Sequence, residues 1–149
     1  MAYVTAESLQ TLKQINALIY PTDHIQHESL FRNVLEIPEL TCIAFFDCFP
    51  CGYIICEKVH NRDGSSHLSI VTIGVTPDRR GRGIGGALLD RAIKTAKKMA
   101  DVKFLTAVVP ANDDFAERLF KRQQFKQCGS LTEEYGAYQG HIFSKSTGN

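Results

Sequence analysis

The chain has 149 residues, of which 44% are apolar and 22% charged, with a formal net charge of +1. That size suits one domain spanning 1–149, and the near-neutral balance excludes a global pull toward nucleic acid or an anionic membrane. No apolar run approaches the ~20 residues that cross a bilayer, so neither nucleic acid nor membrane is expected as a partner.

Taken in chain order, Leu9, Leu12, Ile15 and Ile19 recur at helical spacing, with Thr5 or Ser8 able to cap the start. Tyr20-Pro21 ends that helix. A second helical stretch covers Gln26 to Leu35. Thr41 to Phe46 and Gly52 to Lys58 suit two strands joined through Asp47-Cys48-Phe49-Pro50. His60 to Ser66 is a polar loop, and Leu68 to Val75 a strand rich in β-branched residues. Ile84, Leu88, Ala92, Ala96 and Met99 form the apolar stripe of a helix, with Lys94, Lys97 and Lys98 on its solvated side. Lys103 to Val109 is a further strand. Asp113 or Asp114 can cap a helix carrying Phe115, Leu119 and Phe120, and Phe125 to Cys128 and Tyr138 to Phe143 read as closing strands. The alternation predicts a mixed α/β (α+β) domain, a mixed sheet with helices on both faces.

Met-Ala-Tyr-Val-Thr-Ala-Glu lacks the basic and apolar regions of a signal peptide, and five cysteines is an odd number. Both favour the reducing cytoplasm, with the nucleus as a second compartment. Cys48-x-x-Cys51 could be a redox pair or half a zinc site, but zinc wants four ligands. The plain alternative is a pair of small apolar residues in a hairpin, and no metal is expected.

Ile73-Gly74-Val75-Thr76-Pro77-Asp78-Arg79-Arg80-Gly81-Arg82-Gly83-Ile84-Gly85-Gly86 joins the third strand to the long helix. Glycines let backbone approach a ligand closely, the helix start turns N–H groups and a positive dipole end toward one spot, and arginines add fixed charge. The ligand carries phosphate. Gly81, Gly83 and Gly86 match the dinucleotide pattern G-x-G-x-x-G, but Asp101 stands ahead of the next strand, where that fold wants an acid after it. A phosphate loop of the G-x-x-x-x-G-K-[ST] kind is absent. A ligand-free turn leaves three arginines among three glycines unexplained. Arg80, Gly83 and Gly85 satisfy R-x-x-G-x-G after a strand and a proline.

This order of strand, proline, arginine and glycines resembles the acetyl-CoA motif of the GCN5-related N-acetyltransferases (GNAT). Over roughly residues 4 to 128 the chain is similar to the San-type N-terminal acetyltransferases, the catalytic subunit of NatE. Ile15-Asn16 with Ile19-Tyr20-Pro21, Val34-Leu35-Glu36 with Glu39-Leu40, Thr72-x-Gly74 through Gly85, and Phe120 to Phe125 carry the likeness. The resemblance implies the GNAT fold, a central twisted mixed sheet flanked by helices, and transfer of acetyl from acetyl-CoA to a protein N-terminus, without a metal. By the same analogy Ile73, Gly74 and Val75 line the acetyl and pantetheine end. Arg80, Gly81, Arg82, Gly83, Ile84, Gly85 and Gly86 hold the pyrophosphate, and Phe120 packs against CoA. Tyr20, Pro21, Thr22 and Tyr135 hold the peptide, and a ribosome-associated acetyltransferase complex is an expected partner.

Several family positions differ. The family's catalytic tyrosine aligns with Ser69, its histidine near Val108, and its proton-donating tyrosine with Phe120. Its opening strand has no counterpart in Val4-Thr5, where the first helix begins. Substitutes are sought on the third strand, where period-two alternation puts His67, Ser69, Val71 and Ile73 on one face. His67 titrates in the useful range and Ser69 can hold a water, while solvent-facing roles are the plain alternative for both. The expected function is N-terminal acetylation by direct attack. The alternatives are a GNAT acting on lysine or small-molecule amines, and a catalytically weak CoA-binding subunit.

Overall fold

The computed structural model describes residues 2–3, 40–131 and 140–149. The two helices expected before Thr41, the residues Tyr20, Pro21 and Thr22, and Tyr135 lie outside the described residues.

The described strands are β1 (Ala2–Tyr3), β2 (Thr41–Phe46), β3 (Phe49–His60), β4 (Ser66–Val75), β5 (Val102–Pro110), β6 (Lys126–Leu131) and β7 (Gly140–Ser146). They form one sheet in the order β1-β2-β3-β4-β5-β7-β6. β4 and β5 run parallel and every other pair runs antiparallel. A parallel neighbour needs a crossover, and helix α1 (Ile84–Lys98) supplies it between β4 and β5. Helix α2 (Asp114–Arg122) follows β5. The mixed sheet with helices thus stands as expected, and the two described helices share one face.

That face holds the core. Leu88, Leu89, Ile93 and Ala96 of α1 and Leu119 and Phe120 of α2 pack with Leu68, Ile70, Leu105, Val109 and Phe143 of the sheet. Lys94, Lys97 and Lys98 are exposed on the far side of α1, as its stripe predicts. Asp113 is the cap of α2, its Oδ1 accepting from the Ala116 N–H at 3.0 Å.

The structure corrects several expectations. An opening strand is present: Ala2–Tyr3 pairs with β2, at Ala2↔Ile43 and Tyr3↔Cys42. The strand lies ahead of Val4-Thr5, and two residues are too few for a period to show. The β2–β3 turn has two residues, not four. Asp47 (φ 49°) and Cys48 (φ 68°) take the paired positive φ values of a tight hairpin whose twist matches its strands, and Phe49 already pairs with Phe46. Cys48 is exposed at this tip while Cys51 is buried, its Sγ 3.4 Å from the Ala44 oxygen, so the two thiols do not converge. Burial pushes the Cys42 and Cys51 thiols up and Cys56 up to about 12, which leaves these three unsuited to thiolate chemistry at neutral pH.

Gly52 is a point of close approach. A Cβ there would lie 2.9 Å from the Gly74 carbonyl oxygen and 3.3 Å from side-chain atoms of Ile84 and Leu88. Gly52→Ala should therefore destabilise by about 1–3 kcal/mol, the usual cost of overpacking. A urea midpoint equal to that of the parent would show that the site has slack.

Candidate acetyl-donor site

The site begins where two strands part. β4 pairs with β5 only from Ser66↔Val102 to Ile70↔Ala107. Beyond that rung β4 continues to Val75 on β3 alone, and β5 to Pro110 on β7 alone. The result is a fork at the C-terminal ends of the parallel pair, where open α/β sheets take ligands.

At the mouth of the fork the chain leaves β4 through a short 3-10 turn, Pro77–Arg79, and enters α1. Gly81 and Gly83 sit at φ +79° and +80°, and a Cβ on either would meet nothing within 4 Å. Left-handed backbone, not crowding, is what calls for glycine there. Gly83 is the N-cap and has no side chain to accept from the first turn. The first bond of the helix is Ala87 N–H to Gly83 O at 3.0 Å. The N–H groups of Ile84, Gly85 and Gly86, together with the helix dipole, are thereby presented to a ligand. The Arg80 Nε donates to the Val75 carbonyl at 3.1 Å, which anchors its guanidinium beside the helix start.

Two cavities of about 380 Å³ each meet here, sharing Val75, Arg80, Gly85, Phe115 and Leu119 as walls. One arm runs into the fork, over Ile73, Gly74, Asp113 and Ala116. The other runs over Gly81, Gly83, Ile84 and Gly86 and out past Arg79, Arg118, Arg122 and Gln123. Gly85 lets α2 close against α1, since a Cβ there would stand 3.4 Å from Leu119 Cδ2. The Gln123 amide ties the end of α2 to Gly86 O at 3.4 Å. The arrangement suits a long ligand with an anionic middle at Arg80 and a slender end in the fork.

Most of the residues expected at the donor gather on these walls: Ile73, Gly74, Val75, Arg80, Gly81, Gly83, Ile84, Gly85 and Gly86. Two are turned elsewhere. The Arg82 guanidinium lies 5.6 Å from the Phe46 ring centroid, beside that of Arg79 at 4.4 Å, so both stack on the hairpin. Phe120 is 2% exposed in the core, edge-on to Phe125 at 5.1 Å and stacked on Phe143 at 6.3 Å. Phe115 takes the exposed aromatic position on the cavity wall. Asp101, the acid of the dinucleotide alternative, sits at the opposite end of β5 in an ion pair with Lys58 at 2.8 Å.

His67 and Ser69 do not share a face with Ile73. Ile70 pairs with Cys56 and Thr72 with Ile55, so Val71 is an extra residue on β4. This bulge inverts the alternation. Ile73 and Val75 face the cavity, while His67 and Ser69 point to the other side of the sheet. There Ser69 forms a rung with Glu57, Thr106 and Ser144, a polar row one rung from the fork. Val108 lies past the fork on the same face, 45% exposed. His67 stacks on Phe104 at 4.7 Å, and its Nδ1 meets Asn61 Oδ1 at 2.7 Å. Ser65 donates to Asp63 Oδ1 at 2.6 Å and accepts from Asn61 Nδ2 at 3.0 Å, which orients the Asn61 oxygen toward His67. The imidazole therefore carries its proton on Nδ1 and leaves Nε2 as an acceptor.

Sequence reasoning missed Glu57, Arg118 and Arg122. Glu57 reaches the row only through strand register. Arg118 and Arg122 did carry a signal, since with Phe115 and Leu119 they make a stripe at helical spacing.

The sequence profile of the acetyltransferase (GNAT) family matches residues 9–125. The chain belongs to that family. This GNAT protein is 28% identical over 146 residues to N-alpha-acetyltransferase 50 of Danio rerio, covering 96% of this chain and 85% of that protein. It is 23% identical over 146 residues to probable N-acetyltransferase san of Drosophila melanogaster, covering 96% and 78%. Among solved structures it shares the fold of Arabidopsis thaliana Naa50 in complex with the bisubstrate analogue CoA-Ac-MVNAL, with a TM-score of 0.86 at 23% identity, covering 97% of this chain and 96% of that one.

Burial pushes the His67 imidazole below its ordinary value. An NMR titration should show its midpoint under ~6.5, rising toward that figure in Phe104→Ala as the covering ring is removed. A His67 lowered in the fold favours the native state above ~pH 6.5 and loses that contribution as the pH falls. A midpoint unmoved by Phe104→Ala would assign the burial to other groups.

Proposed function

We propose that this chain moves acetyl from acetyl-CoA to the α-amine of a protein N-terminus. The observation that carries the reading is the forked cleft, with an uncapped helix start and Arg80 at its middle. Likeness to N-alpha-acetyltransferase 50 and to Naa50 with its CoA-peptide analogue supports the choice of substrate. The diphosphate of the donor fits the first turn of α1 and Arg80, and its pantetheine arm fits the wall of Ile73 and Gly74. With that substrate goes a cytoplasmic working place and membership of a ribosome-associated acetyltransferase complex, which co-sedimentation with ribosomes checks.

In the reaction the amine nitrogen bonds to the thioester carbonyl carbon, the carbon–sulfur bond breaks, and the amine proton passes on so that CoA leaves as the thiol. The chain's own part is alignment in the fork, worth up to ~7–11 kcal/mol, while a general base adds ~10²–10⁴-fold. The amine comes from the face carrying Ser69, since α1 and α2 close the other. Glu57 offers a carboxylate to the arriving ammonium, and His67, two rungs further on, accepts its proton through water on Nε2, which frees the neutral amine to attack. An α-amine near pKa 7.7–8.0 is about a tenth neutral at pH 7, and a lysine fewer than about one part in a thousand. A site with so modest a base selects N-termini.

A peptide library incubated with acetyl-CoA should yield products acetylated on the α-amine by mass spectrometry. Acetylated side chains or small amines would move the protein to another substrate class. Donor binding without product would make it a CoA-binding subunit of an acetyltransferase complex, the reading that Ser69, Val108 and Phe120 favour. Arg80→Ala should weaken CoA binding by about 1.5–3 kcal/mol in calorimetry, through loss of a charged phosphate contact. His67→Ala should slow turnover by about a hundredfold, the low end of what a general base supplies, and remove the acidic limb of the pH–rate profile, whereas an unchanged profile would exclude it as proton acceptor.

A further inference from the structure

The outer arm of the cleft holds more positive charge than a diphosphate needs. Arg80 and the first turn of α1 already meet the two charges of that group. Arg118 and Arg122 stand beyond them on the wall of the same cavity. Their i,i+4 spacing puts both guanidiniums over one stretch of α2. Arg118 Nε donates to the Asp114 carbonyl at 3.3 Å, which leaves its other N–H groups to face the cavity. The ion pairs of this helix among the described residues include Lys121 with Glu117 at 2.8 Å but neither arginine. Two exposed like charges one turn apart repel mildly, so their placement gains most from an anion between them.

Resting on the acetyl-CoA reading, we propose that Arg118 and Arg122 form a subsite for the ribose 3′-phosphate of the donor, and that the enzyme thereby selects acetyl-CoA over donors lacking that group. A phosphomonoester carries about −1.5 to −2 charge at pH 7 and three acceptor oxygens. Paired guanidinium forks match that geometry better than ammonium groups do. The layout also gives the ligand a direction. Its acyl end enters the fork past Ile73 and Gly74, its diphosphate crosses the start of α1 at Arg80, and its nucleotide lies along α2. Gln123, bonded to Gly86, holds α2 in register with the diphosphate turn.

The test compares acetyl-CoA with acetyl-3′-dephospho-CoA by calorimetry on the whole chain, at low and at physiological salt. The parent protein should bind acetyl-CoA at least about tenfold more tightly, the return for charge-assisted bonds to one phosphate. In Arg118→Gln/Arg122→Gln that preference should fall to within about twofold, with affinity for the dephospho donor unchanged. Both side chains are exposed, so the double variant should keep the parent's thermal midpoint. Arg80→Ala should weaken both donors alike. Equal binding of the two donors by the parent, or discrimination that survives the double variant, would overturn the subsite and leave the acetyl-CoA reading standing. Failure of the parent to bind either donor would overturn both.

Discussion

Parallel pairing that stops at Ile70↔Ala107 is the constraint on which the rest of this structure depends. A strand edge cannot be left without partners inside a protein unless something else takes up its N–H and C=O groups. Here β4 stays attached to β3 and β5 to β7, so the sheet remains one body while its middle opens. In the proposed reaction the opening takes the acyl end of the donor and lets the reacting carbon be reached from the far side.

Everything around the fork serves to keep it open and to charge its mouth. Gly52 allows β3 to press on Gly74, and Gly85 allows α2 to lie against the first turn of α1. The turn before α1 takes left-handed φ at Gly81 and Gly83, which frees the helix start from any side-chain cap. Arg80 is fixed by the Val75 carbonyl, while Arg79 and Arg82 are drawn off onto Phe46. Three arginines in four residues therefore play different parts, one on the cavity wall beside the helix start and two on the hairpin, with Arg79 also at the cavity rim.

On the other face, the Val71 bulge decides which side chains of β4 are presented. It puts His67 and Ser69 on the side of the sheet away from the cavity, with Glu57 beside Ser69, and the proposed reaction brings the amine in from there. The hydrogen-bonded series Asp63–Ser65–Asn61–His67 gives the imidazole one tautomer. Under the proposed function a base of this kind is weak, and alignment in the fork would supply most of the rate. That balance favours an amine already partly neutral at physiological pH.

The phosphate turn could be read from the chain because its physics is local: glycine φ, a helix start and an arginine lie within consecutive residues. The core stripe of α1 and the Asp113 cap were legible for the same reason. The two-residue turn at Asp47-Cys48 was hidden because neither residue announces positive φ as glycine does. The strand Ala2–Tyr3 was hidden because it exists only through its pairing with β2. Which way His67 and Ser69 face was settled by two residues of β4 meeting one of β3, a mismatch that no alternation within β4 reveals. The parting of β4 and β5, Glu57 beside Ser69, and the approach of Arg118 and Arg122 to the diphosphate turn all join residues distant in sequence. The chain by itself determined which residues can grip phosphate, and the tertiary packing decided which of them face it, because facing depends on what each strand and helix leans against.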